Sequence, residues 1–228
     1  MRLLYFAPYS HGGLADYTQA QADALGKEGV EVSILCRPNF ANERSGSFTA
    51  LPNLREPEAH GRSFLKKLDH FSRILEDVQQ LDFVIRESNY QHVILTFSEY
   101  LAPLWTWRLK KLANQGVRFG AIVHDPVRDF ILGPKWWHRH SIREAYSFLS
   151  QAFVHEPIEL ETGSKNPELI TSVIPHGIYS FPPSKMTREE ARASLHIPEQ
   201  ATVLLSFGPI RDGKNLGLII ERLQRLKN

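Results

Sequence analysis

Residues 207–215 read FGPIRDGKN, and Gly208, Gly213 and Lys214 fit the spacing G-x-x-x-x-G-K of a nucleotide-gripping loop. The apolar run ATVLLSF before it predicts a strand, and LGLIIERLQRL after it predicts a helix. A hydrolase of that kind needs Ser or Thr after the lysine to ligate magnesium, but this chain has Asn215, and Pro209 removes a donor from the cradle. Arg211 and Lys214 still place two cations at a helix start, where they could neutralise a diphosphate without metal; a solvated cationic turn is the alternative. A second glycine turn, Ser10-His11-Gly12-Gly13, follows the first apolar run. There, backbone amides can approach an anion without obstruction by a Cβ. It lacks the full G-x-G-x-x-G, and a tight turn that serves only packing reads equally from these residues. Next in interest is His124, which closes the run RFGAIVH. Ligands bind beyond the carboxyl ends of strands in open α/β sheets, so His124 and Asp125 form a candidate pair. A strand-capping histidine and a turn-forming aspartate before Pro126 are the bland equivalents.

The elements that must position these residues alternate. Strands are expected at 2–7, 31–36, 47–51, 92–97, 118–124, 151–155 and 172–175, and helices at 14–28, 62–87, 101–115 and 136–149. In the longest helix Phe64, Leu68, Phe71, Leu75, Val78, Leu81 and Ile85 recur at three- and four-residue steps. Strands separated by helices, many of them apolar throughout, imply an α/β fold with a doubly wound parallel sheet. HGIYSFPPSK then reads as a linker, and Thr187 with Glu190 as a capping box opening a further helix. The expected organisation is a domain over 1–180 and the linker and opening of an incomplete second domain over 181–228.

Composition narrows the class. Of 228 residues, 42% are hydrophobic and 23% charged, as in a folded domain, and a net charge of +2 gives no argument for nucleic acid. The single Cys36 cannot close an intramolecular disulfide, which with the absence of a signal-like start leads to a cytoplasmic expectation. Between Glu99 and Asp125 there is no acidic residue, while Arg108, Lys110, Lys111 and Arg118 accompany Trp105 and Trp107; KWWHRHSIR adds Trp136 and Trp137. Such pairing suits peripheral contact with an anionic membrane, with core tryptophans and solvated basic faces as the alternative. His138 and His140, two apart on a helix, make a poor metal pair. His155, His11 and His176 are further single candidates for a cleft contact.

Together these segments resemble the group 1 (family 4) retaining glycosyltransferases of the GT-B fold. RLLYFAPYSHGGLADYTQAQADALGKEGVEVSIL resembles their first strand, Gly-Gly loop, helix and second strand. VIPHGIY resembles the turn ending their first domain, and TREEARASLHIPEQATVLLSFGPIRDGKNLGLIIERL the opening of their second. The resemblance implies two Rossmann-like domains facing across a cleft, an acceptor on the first and a nucleotide diphosphate sugar on the second. It implies transfer with retention, without a metal cofactor, to a saccharide, lipid-linked or small-molecule acceptor, as in polysaccharide biosynthesis. By the same resemblance Gly12 and Gly13 line the cleft near the phosphates, His124 contacts the donor sugar, and Arg211 and Lys214 stabilise the leaving diphosphate. No D-x-D occurs, so the metal-carboxylate device of the other major glycosyltransferase fold is missing. Pro209 and Asn215 depart from the family pattern, and its E-x7-E element would lie beyond Asn228. The chain is therefore expected to be truncated and inactive alone. The alternative is a noncatalytic acceptor- or membrane-binding subunit paired with a separate donor-binding chain.

Overall fold

A computed structural model describes residues 1–58, 63–96, 99, 101–124, 133–162, 168–177, 184–205 and 215–225. The chain divides into two compact units, Met1–Tyr179 and Ser180–Asn228.

Unit 1 runs β1 (Arg2–Ala7), α1 (Gly13–Lys27), β2 (Glu31–Cys36), α2 (Pro38–Glu43), β3 (Thr49–Leu51), α3 (Ser63–Ser88), β4 (His92–Leu95), α4 (Ala102–Ala113), β5 (Arg118–Val123), α5 (Lys135–Tyr146), β6 (Gln151–Val154) and β7 (Ile170–Val173). All seven strands pair in parallel, in the order β3-β2-β1-β4-β5-β6-β7. The apolar continuity of β1 has a direct cause, since successive side chains enter opposite cores. Leu4 and Phe6 join Leu81, Ile85, Trp105 and Leu109 beneath α3 and α4. Leu3, Tyr5 and Ala7 join Ala15, Ala22 and Phe40 beneath α1 and α2. This is the doubly wound α/β sheet expected of the sequence.

Two local readings need revision. The six-residue α2 was not foreseen; Pro38 at its start fixes φ where an amide would lack a partner anyway, and only Phe40 is buried. In α3 the apolar stripe is covered only toward its end, where Val78, Leu81, Val84 and Ile85 are buried, whereas Leu68 and Phe71 are exposed.

Unit 2 contains α6 (Arg188–Ser194) and α7 (Leu216–Arg225). The capping box is present: the Glu190 amide donates to Thr187 Oγ1 at 3.2 Å, and the Thr187 amide donates to Glu190 Oε2 at 2.8 Å. The strand expected from ATVLLSF does not form over residues 201–205, and Leu205 stands 84% exposed. Among the described residues of unit 2 this apolar run has no neighbouring strand to satisfy its backbone, so apolar content alone does not make a strand.

Candidate functional site

The site begins at the turn after β1. Gly12 precedes α1 with φ 84° and ψ −177°, a conformation essentially reserved for glycine. A Cβ added at Gly12 or Gly13 would meet nothing within 4 Å, so neither glycine is there to admit a protein neighbour. No side chain caps α1. The Ala15 and Asp16 amides both donate to the Gly12 carbonyl at 3.0 Å. The turn thus presents an uncapped helix start beside open space, the arrangement that receives an anion.

Its walls are wired by charged residues. Arg37, 3% exposed, donates to the Pro8 carbonyl (2.7 Å), to the Arg55 carbonyl, and to Asp77 Oδ2 (2.6 Å) on α3. Burial raises the Asp77 pKa, and the Arg37 charge pulls it back. Arg44 donates to the Ser10 carbonyl at 2.6 Å and to Asp16 Oδ1 at 2.8 Å, tying the turn to the first helical turn. Glu56 accepts from Ser10 Oγ and from the Asn39 amide. Within this frame lies a cavity of about 500 Å³. Ser10, Arg37, Glu56 and Asp77 are among its polar lining residues, with His70 and Arg73, and Leu81, Leu95, Trp105 and Leu109 are among its apolar ones.

At the carboxyl edge of the sheet the ends of three adjacent strands meet. Val123, Val154 and Val173 are in register across β5, β6 and β7. His124 and His155 follow the first two directly, and His176 comes three residues after the third. His155 Nδ1 lies 3.0 Å from the Ile174 carbonyl and must donate to it, leaving a lone pair on Nε2. That Nε2 is 3.0 Å from His124 Nδ1, so in the neutral pair His124 is the donor. His176 Nδ1 donates to the Gly177 carbonyl at 3.0 Å. The buried ring of Tyr17, one turn into α1, meets all three imidazoles with centroids 4.7, 5.2 and 5.3 Å away.

Of the residues singled out by sequence, Gly12, Gly13 and His124 lie in this region of unit 1. Arg211, Lys214 and Asp125 fall outside the described residues. Asn215, at the position where the resembled family carries glycine, has φ 51°, a left-handed conformation that asparagine tolerates. The histidine trio and the Arg37–Asp77 clamp escaped sequence reading as assemblies. The tryptophans divide: Trp105 is core, while Trp107 and Trp136 are exposed, with the Arg108 guanidinium 4.5 Å from the Trp107 ring centroid. Among the described residues no helix is long and apolar enough to cross a membrane.

No family model matches the chain, and no curated protein matches it. Solved structures do. A glycosyltransferase from Rickettsia africae ESF-5 superposes with a TM-score of 0.63 at 16% identity, over 99% of this chain and 57% of that one. The chain shares the Rossmann-like α/β fold of that structure. The chain spans a little over half the length of the Rickettsia protein. MurG from Acinetobacter baumannii matches over 75% of this chain and 44% of its own, at 13% identity and a TM-score of 0.43.

Proposed function

We propose that this chain is the acceptor-side part of a group 1 retaining glycosyltransferase, moving a sugar from a nucleotide diphosphate donor to an acceptor hydroxyl. The observation that carries the reading is the Gly12–Gly13 turn: a glycine-only backbone opens an uncapped helix start to free space, next in sequence to Ser10 and His11 of a ligand-sized cavity. Leaving-group departure puts negative charge on the diphosphate, and preset amides and cations lower that barrier. Gly13 supplies approach, His124 a polar contact to the sugar, and Arg211 and Lys214 the charge that replaces a metal at the diphosphate. The cavity, with an apolar depth and a carboxylate-guanidinium edge, suits an acceptor with an apolar body and a hydroxyl head.

Gly13→Val tests the reading. The added Cβ meets no protein atom within 4 Å, so thermal stability should change by less than about 1 kcal/mol. In a chain supplied with a complete donor-binding domain, transfer should fall about 10- to 100-fold, because the blocked approach displaces the reacting groups. Full activity in that variant would remove the glycine turn from the site. Residues 1–228 alone should show no turnover, since unit 2 offers two helices and no strand among its described residues.

The exposed Trp107 and Trp136, with Lys111, Arg108 and Arg139 on the same two helices, support peripheral attachment to an anionic bilayer. Flotation with phosphatidylserine vesicles at low salt should retain the protein, and Trp107→Ser with Trp136→Ser should release it. Equal retention of both forms would remove this surface from membrane contact.

A further inference from the structure

Three imidazoles converge where β5, β6 and β7 end, and we propose that His124, His155 and His176 bind a divalent transition-metal ion of the zinc, cobalt or nickel kind. One ligand nitrogen from each lies within 4.8 Å of the others. Tetrahedral coordination at a metal–nitrogen distance near 2.0–2.1 Å places ligand nitrogens roughly 3.4 Å apart. His124 and His155 already stand at 3.0 Å, so this pair opens slightly while the wider separations close by side-chain rotation.

The backbone prepares the rings for this role. His155 and His176 each donate Nδ1–H to a carbonyl, which fixes the tautomer and leaves Nε2 as the lone-pair nitrogen. Outer hydrogen bonds of this type orient metal-binding histidines. His124 needs only a tautomer change: the hydrogen it donates toward His155 moves from Nδ1 to Nε2, and the ion takes its place between the two nitrogens. No charge has to be created on the rings. The trio contains no carboxylate, and nitrogen-only ligands favour zinc, cobalt and nickel over magnesium or manganese. Three histidines leave a fourth tetrahedral position for water or a ligand oxygen. The inference concerns unit 1 alone, and the ion's binding is read without any sugar donor. Its failure would leave the sugar-transfer reading standing.

Titration of the metal-free chain with Co²⁺, followed by visible ligand-field absorption, and with Zn²⁺ by calorimetry tests the site. The expected result is one ion per chain with bands of tetrahedral intensity, and no displacement by Mg²⁺ or Mn²⁺. His155→Asn and the exposed His176→Asn should each weaken binding about 100-fold or more, beyond the effect typical of an outer-shell change. The double variant His138→Asn/His140→Asn, on α5, should bind as the parent does. Circular dichroism checks that each variant is folded, and His176→Asn alone decides if His155→Asn is not. The proposal is overturned if the parent chain binds no stoichiometric Zn²⁺ or Co²⁺, or if His176→Asn binds with parental affinity.

Discussion

Arg37→Ala should destabilise unit 1 by about 3–5 kcal/mol, the usual result of stripping one partner from a buried ion pair. For a domain of this size that corresponds to a fall in Tm of roughly 6–20 °C. Arg37 is 3% exposed, and its removal leaves Asp77 charged in the interior and the Pro8 and Arg55 carbonyls without their donor. The loss should also depend on pH, with a definite sign. Burial holds the Asp77 pKa above its ordinary value, and Arg37 opposes that rise. Without Arg37 the carboxyl stays protonated to higher pH in the folded state than in the unfolded one. The folded chain then binds the extra proton, so stability falls as pH rises from the ordinary carboxylate value, about 4, through the raised one. Adding Asp77→Leu should recover part of the loss but not all, because the two carbonyls remain unmet. Urea unfolding across pH reads all three effects. A loss below about 1 kcal/mol would mean that the clamp is not a structural anchor.

On the proposed sugar transfer, and in a chain joined to a donor-binding domain, Lys214→Ala should lower transfer by about 2–4 kcal/mol of barrier, or roughly 30- to 1000-fold. A cation assigned to the leaving diphosphate gains most as the sugar–phosphate bond breaks. Its loss should therefore appear in kcat and kcat/KM together, with little change in KM. Lys214→Arg keeps the charge but alters its placement, and should recover only part of the rate. Loss confined to KM would make Lys214 a ground-state binder, and an unchanged rate would place it outside the site.

The sheet was legible because its strands are short, apolar and bounded by turns. β1 and β2 match their expected limits residue for residue, 2–7 and 31–36. The turn at Gly12 was legible because a glycine pair between an apolar run and a helical pattern marks a break in the chain, though not what the turn serves. The histidine trio was not. His124, His155 and His176 are 31 and 21 residues apart, and only the parallel register of β5, β6 and β7 brings them together. Arg37 misleads for a different reason: a lone arginine after a strand reads as surface, and its partner Asp77 sits 40 residues away on α3. α2 escaped because the six residues PNFANE offer only the adjacent Phe40 and Ala41 as apolar core positions, too few to show a helical period. ATVLLSF erred the other way, since hydrophobicity announces a wish for burial without naming the neighbour that grants it.

The interior place of β1, between β2 and β4, has a consequence for biosynthesis. Its partner on one side, β2, follows within thirty or so residues, but on the other side Leu4 and Phe6 align with Val93 and Leu95. During translation the first strand must therefore wait, one edge unpaired, until the ribosome has released the segment through β4. Over that interval the nascent chain carries an open, apolar template for association, a natural client for a holding chaperone.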